Sequence, residues 1–163
     1  MPEPAGFESE LKNWLSGAGS VVIAGIGNEI RRDDFVGVKI VRDLDGKVPQ
    51  TVHLIECETV PESFMDEIIQ FKPTHVLLID AAVLGLKPGT VRLYDPCKVV
   101  NVPPISTHSL PVRVFCDYLT ELTKAKIALL LVEPGDTDFG EGLSLEVSSV
   151  TKRIVRSLLQ ILA

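Results

Sequence analysis

No stretch of this chain approaches the ~20 consecutive apolar residues that a helix needs to cross a bilayer, so membrane insertion is not expected. Cysteine is scarce: Cys57, Cys97 and Cys116 are an odd number with no Cys-x-x-Cys spacing. That argues against a disulfide framework, fits a reducing cytoplasm, and offers no paired ligands for zinc. A basic cluster is missing too. The one basic pair, Arg31-Arg32, is cancelled at once by Asp33-Asp34, and the net charge is -6. A nucleic-acid partner would need clustered Lys and Arg, so none is expected. No secretory leader is expected either, since Glu3, Glu8 and Glu10 replace a basic start and no apolar run follows. Gly-x-Ser-x-Gly, His-Glu-x-x-His and a Walker lysine are all absent. The Gly25-Ile26-Gly27 turn lacks the third glycine of a dinucleotide fingerprint, Ile30 standing in its place.

What remains is a chain of 163 residues, 45% apolar, which reads as one domain with a sizeable core. Residues 1–19 carry a short amphipathic helix, with Phe7, Leu11, Trp14 and Leu15 on one face, expected to pack on the surface of the body. From residue 20 onward, strand and helix patterns alternate. Strand candidates are 20–25, Val52 to Glu56, Thr74 to Asp80, Thr90 to Tyr94 and Ile127 to Val132. Helical stripes fall at Val36 to Leu44, Phe64 to Ile69, Leu110 to Leu122 and Val147 to Ile161. Val76-Leu77-Leu78-Ile79 reads as buried on both faces, as in a parallel sheet. Thr90 to Tyr94 alternates apolar and polar, which suits an edge strand. The expected fold is a three-layer α/β/α sandwich with a mainly parallel sheet of about five strands.

Three acids fall at corresponding places: Asp34 beyond the first strand, Glu56 ending the second, and Asp80 ending the third. Parallel strands align their C-terminal ends along one edge, where such sheets bind ligands. Thr107-His108-Ser109 follows a proline-rich loop and can fold an imidazole over that edge. Carboxylates with imidazole suit a borderline metal such as zinc or nickel. Each residue also has a plainer reading. Asp34 sits beside Arg31 and Arg32 at what reads as an exposed turn, and Asp is favoured at helix starts. His108 reads equally as a surface loop residue, Asn28 as a turn former, and His53 and His75 as facing helices or solvent. Asp80 is harder to dismiss, because an acid that follows Val-Leu-Leu-Ile must be paired, hydrogen-bonded or ligating if buried. Cys57 as a nucleophile is the weaker idea, having no histidine beside it in sequence.

Gly25-Ile26-Gly27-Asn28, Asp33-Asp34-Phe35-Val36-Gly37, Leu78-Ile79-Asp80-Ala81 and Ser106-Thr107-His108-Ser109-Leu110 together resemble the [NiFe]-hydrogenase maturation endopeptidases. The stretch from Lys72 to Pro96 looks most like the branch serving hydrogenase 3 of formate hydrogenlyase. The resemblance covers roughly residues 20–162 in order and spacing. It implies a cytoplasmic peptidase that removes a C-terminal extension from the hydrogenase large subunit precursor, its partner, after nickel has been inserted there. It implies metal contacts from Asp34, Asp80 and His108, with Asp34 and Asp80 as catalytic acids. Nickel is then shared with the substrate rather than kept, and a monomer is expected. Many relatives carry acid-Gly-Gly-Ser/Thr after the second strand, where this chain has Glu56-Cys57-Glu58-Thr59, the expected substrate-binding turn. Losing two glycines there restricts conformations with positive φ. The helix within residues 1–19 is read as an addition to that family's catalytic sandwich of residues 20–163. Two readings of other classes compete: a non-catalytic nickel-sensing or carrier module, and a peptidyl-tRNA hydrolase on the same sandwich, which the acidic charge disfavours.

Overall fold

The continuous apolar runs become the central strands of a sheet buried on both faces. The computed structural model describes residues 6–96 and 112–163. In chain order it holds α1 (Phe7–Trp14), β1 (Val21–Ile26), α2 (Val36–Leu44), β2 (Val52–Glu58), α3 (Met65–Phe71), β3 (His75–Ala81), β4 (Val91–Tyr94), α4 (Val112–Thr123), β5 (Lys126–Val132) and α5 (Leu145–Leu162). One five-stranded sheet runs β2-β1-β3-β5-β4. All pairs are parallel except β4 with β5, and β4 is the edge strand its alternating pattern predicts.

Alternation along each strand splits the core into two. Val21 and Ile23, Leu77 and Ile79, and Ala128 and Leu130 join α1, α2 and α5 on one face. Val22 and Ala24, Val76 and Leu78, and Ile127 and Leu129 join α3 and α4 on the other. That is the expected three-layer sandwich. The α1 helix seats Phe7 and Leu11 in the first core, with Leu15 just beyond its end. Trp14 meets buried His75 edge-on at 5.0 Å. His53 instead lies over Phe71 and bonds Glu67 at 2.8 Å.

The helix expected from Phe64 begins one step later. A 3-10 turn over Pro61–Phe64 leads into α3, because Pro61 sets the first turn without donating a backbone hydrogen. The glycines do a different job from phosphate binding. A Cβ on Gly37, in the first turn of α2, would overlap the carbonyl oxygen of Ile79 and stand 2.8 Å from the Ile26 nitrogen. One on Gly25 would overlap Gly37 in turn. These glycines let α2 press backbone to backbone across β1 and β3.

Candidate active site

The sheet order places the fold's switch point between β1 and β3, since the chain leaves β1 toward β2 on one side and returns to β3 on the other. A crevice opens at the C-terminal ends of the strands there, the position where open α/β sheets bind ligands. Asp34 and Asp80 both arrive at this place, from different elements.

Asp34 belongs to a 3-10 turn, Arg32–Phe35, that follows β1. The exposed setting expected beside two arginines is not what forms: Asp34 is only 2% exposed. The reason lies at Gly27, where any Cβ would collide with the Asp34 carbonyl oxygen, so the turn folds directly onto the strand exit. The arginines lead elsewhere, Arg32 to Asp136 at 3.6 Å and Arg31 over the Phe139 ring. The Asn28 backbone N–H donates to Asp34 Oδ2 at 3.0 Å. Asn28, expected only to shape the turn, does both, as its Oδ1 also accepts the Ile30 N–H.

Asp80 sits on β3 and is 1% exposed, so its burial is as the preceding apolar run predicts. Its Oδ1 accepts the Ala81 N–H at 2.7 Å. Strand parity sends its side chain to the α3/α4 side, with Val76 and Leu78. Asp34 and the residues just past Asp80, Ala81 to Val83, line one cleft of about 110 Å³. Arg31, Pro134 and Thr137 complete its wall.

Glu56 lies level with Gly25 and, through it, Ile79, so all three acids do reach the same end of the sheet. The side chain nevertheless points the other way. Ile55 and Cys57 face the α3 core, and alternation turns Glu56 toward α2. There Arg42 Nε donates to Glu56 Oε1 at 2.9 Å, and a second Arg42 nitrogen donates to Glu29. Both ends of this exchange show in the protonation. The two carboxylates raise the Arg42 pKa, and Arg42 lowers that of Glu29. Glu56 therefore lines a separate cleft of about 340 Å³, together with Asn28, Glu29, Arg42, Glu58 and Thr59.

Of the expected substrate-binding turn, Glu56, Glu58 and Thr59 line this second cleft. Cys57 does not. It is fully buried, and burial, then the charges of Glu67 and Glu62, push its thiol up to about 12. No thiolate forms at neutral pH, which removes the nucleophile idea. Register explains the turn: Gly25 pairs with Glu56 but Ile26 pairs with Glu58, leaving Cys57 as the extra residue of a bulge. Glu58 takes φ +51, the conformation a glycine would hold freely, and its carbonyl accepts the Gly27 N–H.

His108 lies outside the described residues. Among those described, no group of three or more His, Cys, Asp or Glu side chains could hold a metal ion.

Two buried acids escaped the sequence reading. Asp33 is 0% exposed and accepts four hydrogen bonds, from the backbone of Gly135, Asp136 and Ser144 and from the Ser144 hydroxyl. A carboxylate has about four lone-pair sites, so Asp33 is saturated and unavailable as base or ligand. Glu133, 4% exposed, accepts the Leu84 and Leu86 N–H groups and shapes the loop after β3. Its signal was present in the sequence: like Asp80, it directly follows an unbroken apolar strand.

A family model described as HycI, hydrogenase maturation protease, matches residues 38–161. The solved structure of the [NiFe] hydrogenase maturation protease HycI from Thermococcus kodakarensis is 34% identical, with a TM-score of 0.86 over 94% of this chain and 98% of that one. A Methanocaldococcus jannaschii protein assigned to the hydrogenase maturation proteases is 33% identical over 160 residues, 93% of this chain and 94% of its own. The endopeptidase HycI from Escherichia coli, 23% identical, shares the fold with a TM-score of 0.73 over 84% of this chain and 87% of that one. With the family model covering most of the sandwich and relatives above 30% identity matched over nearly their whole length, this chain belongs to the hydrogenase maturation protease family.

Proposed function

We propose that this protein is the endopeptidase that removes the C-terminal extension of a [NiFe]-hydrogenase large subunit precursor once nickel is in place. The observation that carries the reading is the placement of two buried carboxylates, Asp34 and Asp80, at the switch point between β1 and β3, with Asp34 opening into a cleft. Family membership supplies the reaction class, hydrolysis of a peptide bond.

Nickel enters as part of the substrate. Asp34, Asp80 and His108 offer two oxygens and one nitrogen donor, an incomplete shell of a kind that suits a borderline divalent ion already held by substrate thiolates. Recognition then depends on the metal being there, and the unloaded precursor is discriminated by differential affinity. In the cleavage step one carboxylate takes a proton from the attacking water while the water oxygen bonds the scissile carbonyl carbon. The C–N bond breaks and that proton passes to the leaving amine. An aspartic-type label suits this chemistry, with Asp34 and Asp80 as the acting pair.

The second cleft, lined by Glu56, Glu58 and Thr59, lies beside the first and takes a further part of the substrate chain. The protein acts as a monomer in the cytoplasm. No helix among the described residues is long and apolar enough to cross a membrane. The test is mass spectrometry of precursor incubated with the protein, with and without nickel loaded. Loss of a C-terminal peptide from the loaded form alone supports the reading, and an intact loaded precursor refutes it.

A further inference from the structure

We infer that Asp33 is a positioning residue for the cleavage reaction. Its buried carboxylate pins the loop between β5 and α5 against the turn that carries Asp34. The inference rests on the reading of Asp34 as a catalytic acid.

The contacts are specific and reach more than a hundred residues along the chain. Asp33 Oδ2 accepts the Gly135 N–H at 2.8 Å, the Asp136 N–H at 2.9 Å and the Ser144 hydroxyl at 2.8 Å. Oδ1 accepts the Ser144 N–H at 2.7 Å. Backbone contacts run alongside: Asp33 N–H to the Asp136 carbonyl, Gly140 N–H to the Ile30 carbonyl and Arg32 N–H to the Gly140 carbonyl. Arg31 Nε donates to the Thr137 carbonyl at 3.1 Å.

An ionised carboxylate excluded from water is costly unless its oxygens are fully hydrogen-bonded. The four donors supply that, and three of them are backbone groups whose positions are therefore dictated by the carboxylate. What they dictate is the far wall of the Asp34 cleft, because Pro134 and Thr137 line it and flank Gly135 and Asp136. Asp33 is covalently next to Asp34, so the same anchor fixes the acid and the wall it faces. Ser144, the residue before α5, spends its hydroxyl on Asp33 and makes no side-chain cap to its own helix. Removing that hydroxyl loosens the latch without uncapping the helix.

Asp33→Asn is a sharp perturbation. Whichever way the amide turns, its NH2 group faces a backbone N–H, and at least one donor loses its acceptor. The experiment measures kcat and KM for cleavage of nickel-loaded precursor, per folded molecule and well below the melting temperature. Wild type, Asp33→Asn, Ser144→Ala and Ile154→Val are compared. Ile154 is a core residue of α5 outside the site and serves as a stability control.

The expected result is a kcat about 100-fold lower for Asp33→Asn, the scale of an ångström-level misplacement. For Ser144→Ala it is about fivefold lower, the scale of one hydrogen bond. Ile154→Val should keep the wild-type kcat despite a lower melting temperature. If Asp33→Asn folds and keeps both constants, or if Ile154→Val loses activity in proportion to its stability, the inference is overturned. If Asp33→Asn does not fold, Ser144→Ala decides alone: a lowered kcat supports the inference and an unchanged one overturns it. A wild-type protein that cleaves nothing would instead overturn the proposed function.

Discussion

Gly37→Ala separates two effects that pull in opposite directions. Gly37 lies in the first turn of α2, where helix propensity alone favours alanine by about 1 kcal/mol. The new methyl, however, would stand 2.8 Å from the Ile26 nitrogen and closer still to the carbonyl oxygens of Ile79 and Ile26, against an ordinary contact of 3.4 Å or more. Those atoms belong to β1 and β3 in the middle of the sheet and cannot retreat. The helix must move out by at least 3.4 minus 2.8, about 0.6 Å, to clear the nitrogen alone.

A gap of that size forfeits roughly a quarter of the contact energy across it. The helix buries Val36, Val38, Ile40, Val41 and Leu44. At about 1.5–3 kcal/mol each these are worth roughly 7–15 kcal/mol, so the shift costs about 2–4 kcal/mol. After the propensity gain the net loss is about 1–3 kcal/mol, a fall in Tm of about 2–12 °C for a chain of this length. Thermal melts and urea midpoints measure it. An unchanged or raised Tm would refute the claim that α2 is held at backbone contact. Because the 3-10 turn that holds Asp34 runs directly into α2, cleavage should fall further than stability if Asp34 acts as proposed.

The pH dependence of two buried groups follows from the direction of their shifts. His75 is held below its ordinary 6.5 by burial, then by Lys126. The stability that its neutral form contributes is present above 6.5 and lost as pH falls below it. Trp14 fluorescence should report loosening of α1 on acidification, and a His75→Gln variant should lack that step. The Cys57 thiol, raised from 9.0 to about 12, keeps stability below 9 that is lost as pH climbs toward 12. The urea midpoint should fall more steeply above pH 9 in wild type than in Cys57→Ala, and native Cys57 should resist iodoacetamide at neutral pH. Glu58 holds a left-handed conformation that costs a non-glycine residue about 1–2 kcal/mol. Glu58→Gly should leave Tm unchanged or raise it slightly, whereas Glu58→Val should lower it; equal melts for the two would contradict the strain argument.

Periodicity carried the fold because it reports burial directly. The apolar runs of β3 and β5 could only be strands covered on both faces, and the alternation of Val91 to Tyr94 could only be an edge. The burial of Asp80 was legible for the same reason, since it ends such a run. Asp34 was legible in position but not in environment. Local charge suggested exposure, while burial came from Gly27 admitting the turn against the strand, a contact that sequence spacing does not reveal. Glu56 was placed at the right edge and aimed at the wrong cleft, because strand alternation turns it to the α2 face, opposite Ile55 and Cys57. Asp33 was invisible as an anchor. Its partners lie at 135 to 144, and no local pattern links two segments so far apart.

Asp34 and Asp80 are proposed to cleave the nickel-loaded precursor together. The most direct measurement is intact-mass analysis of that precursor after incubation with wild type, Asp34→Asn or Asp80→Asn, each first shown to be folded by its thermal melt. Loss of the C-terminal extension is expected with wild type only, and Asp80→Asn should melt no lower than wild type yet leave the precursor intact. Release of the extension by folded Asp80→Asn at the wild-type rate would contradict that proposal.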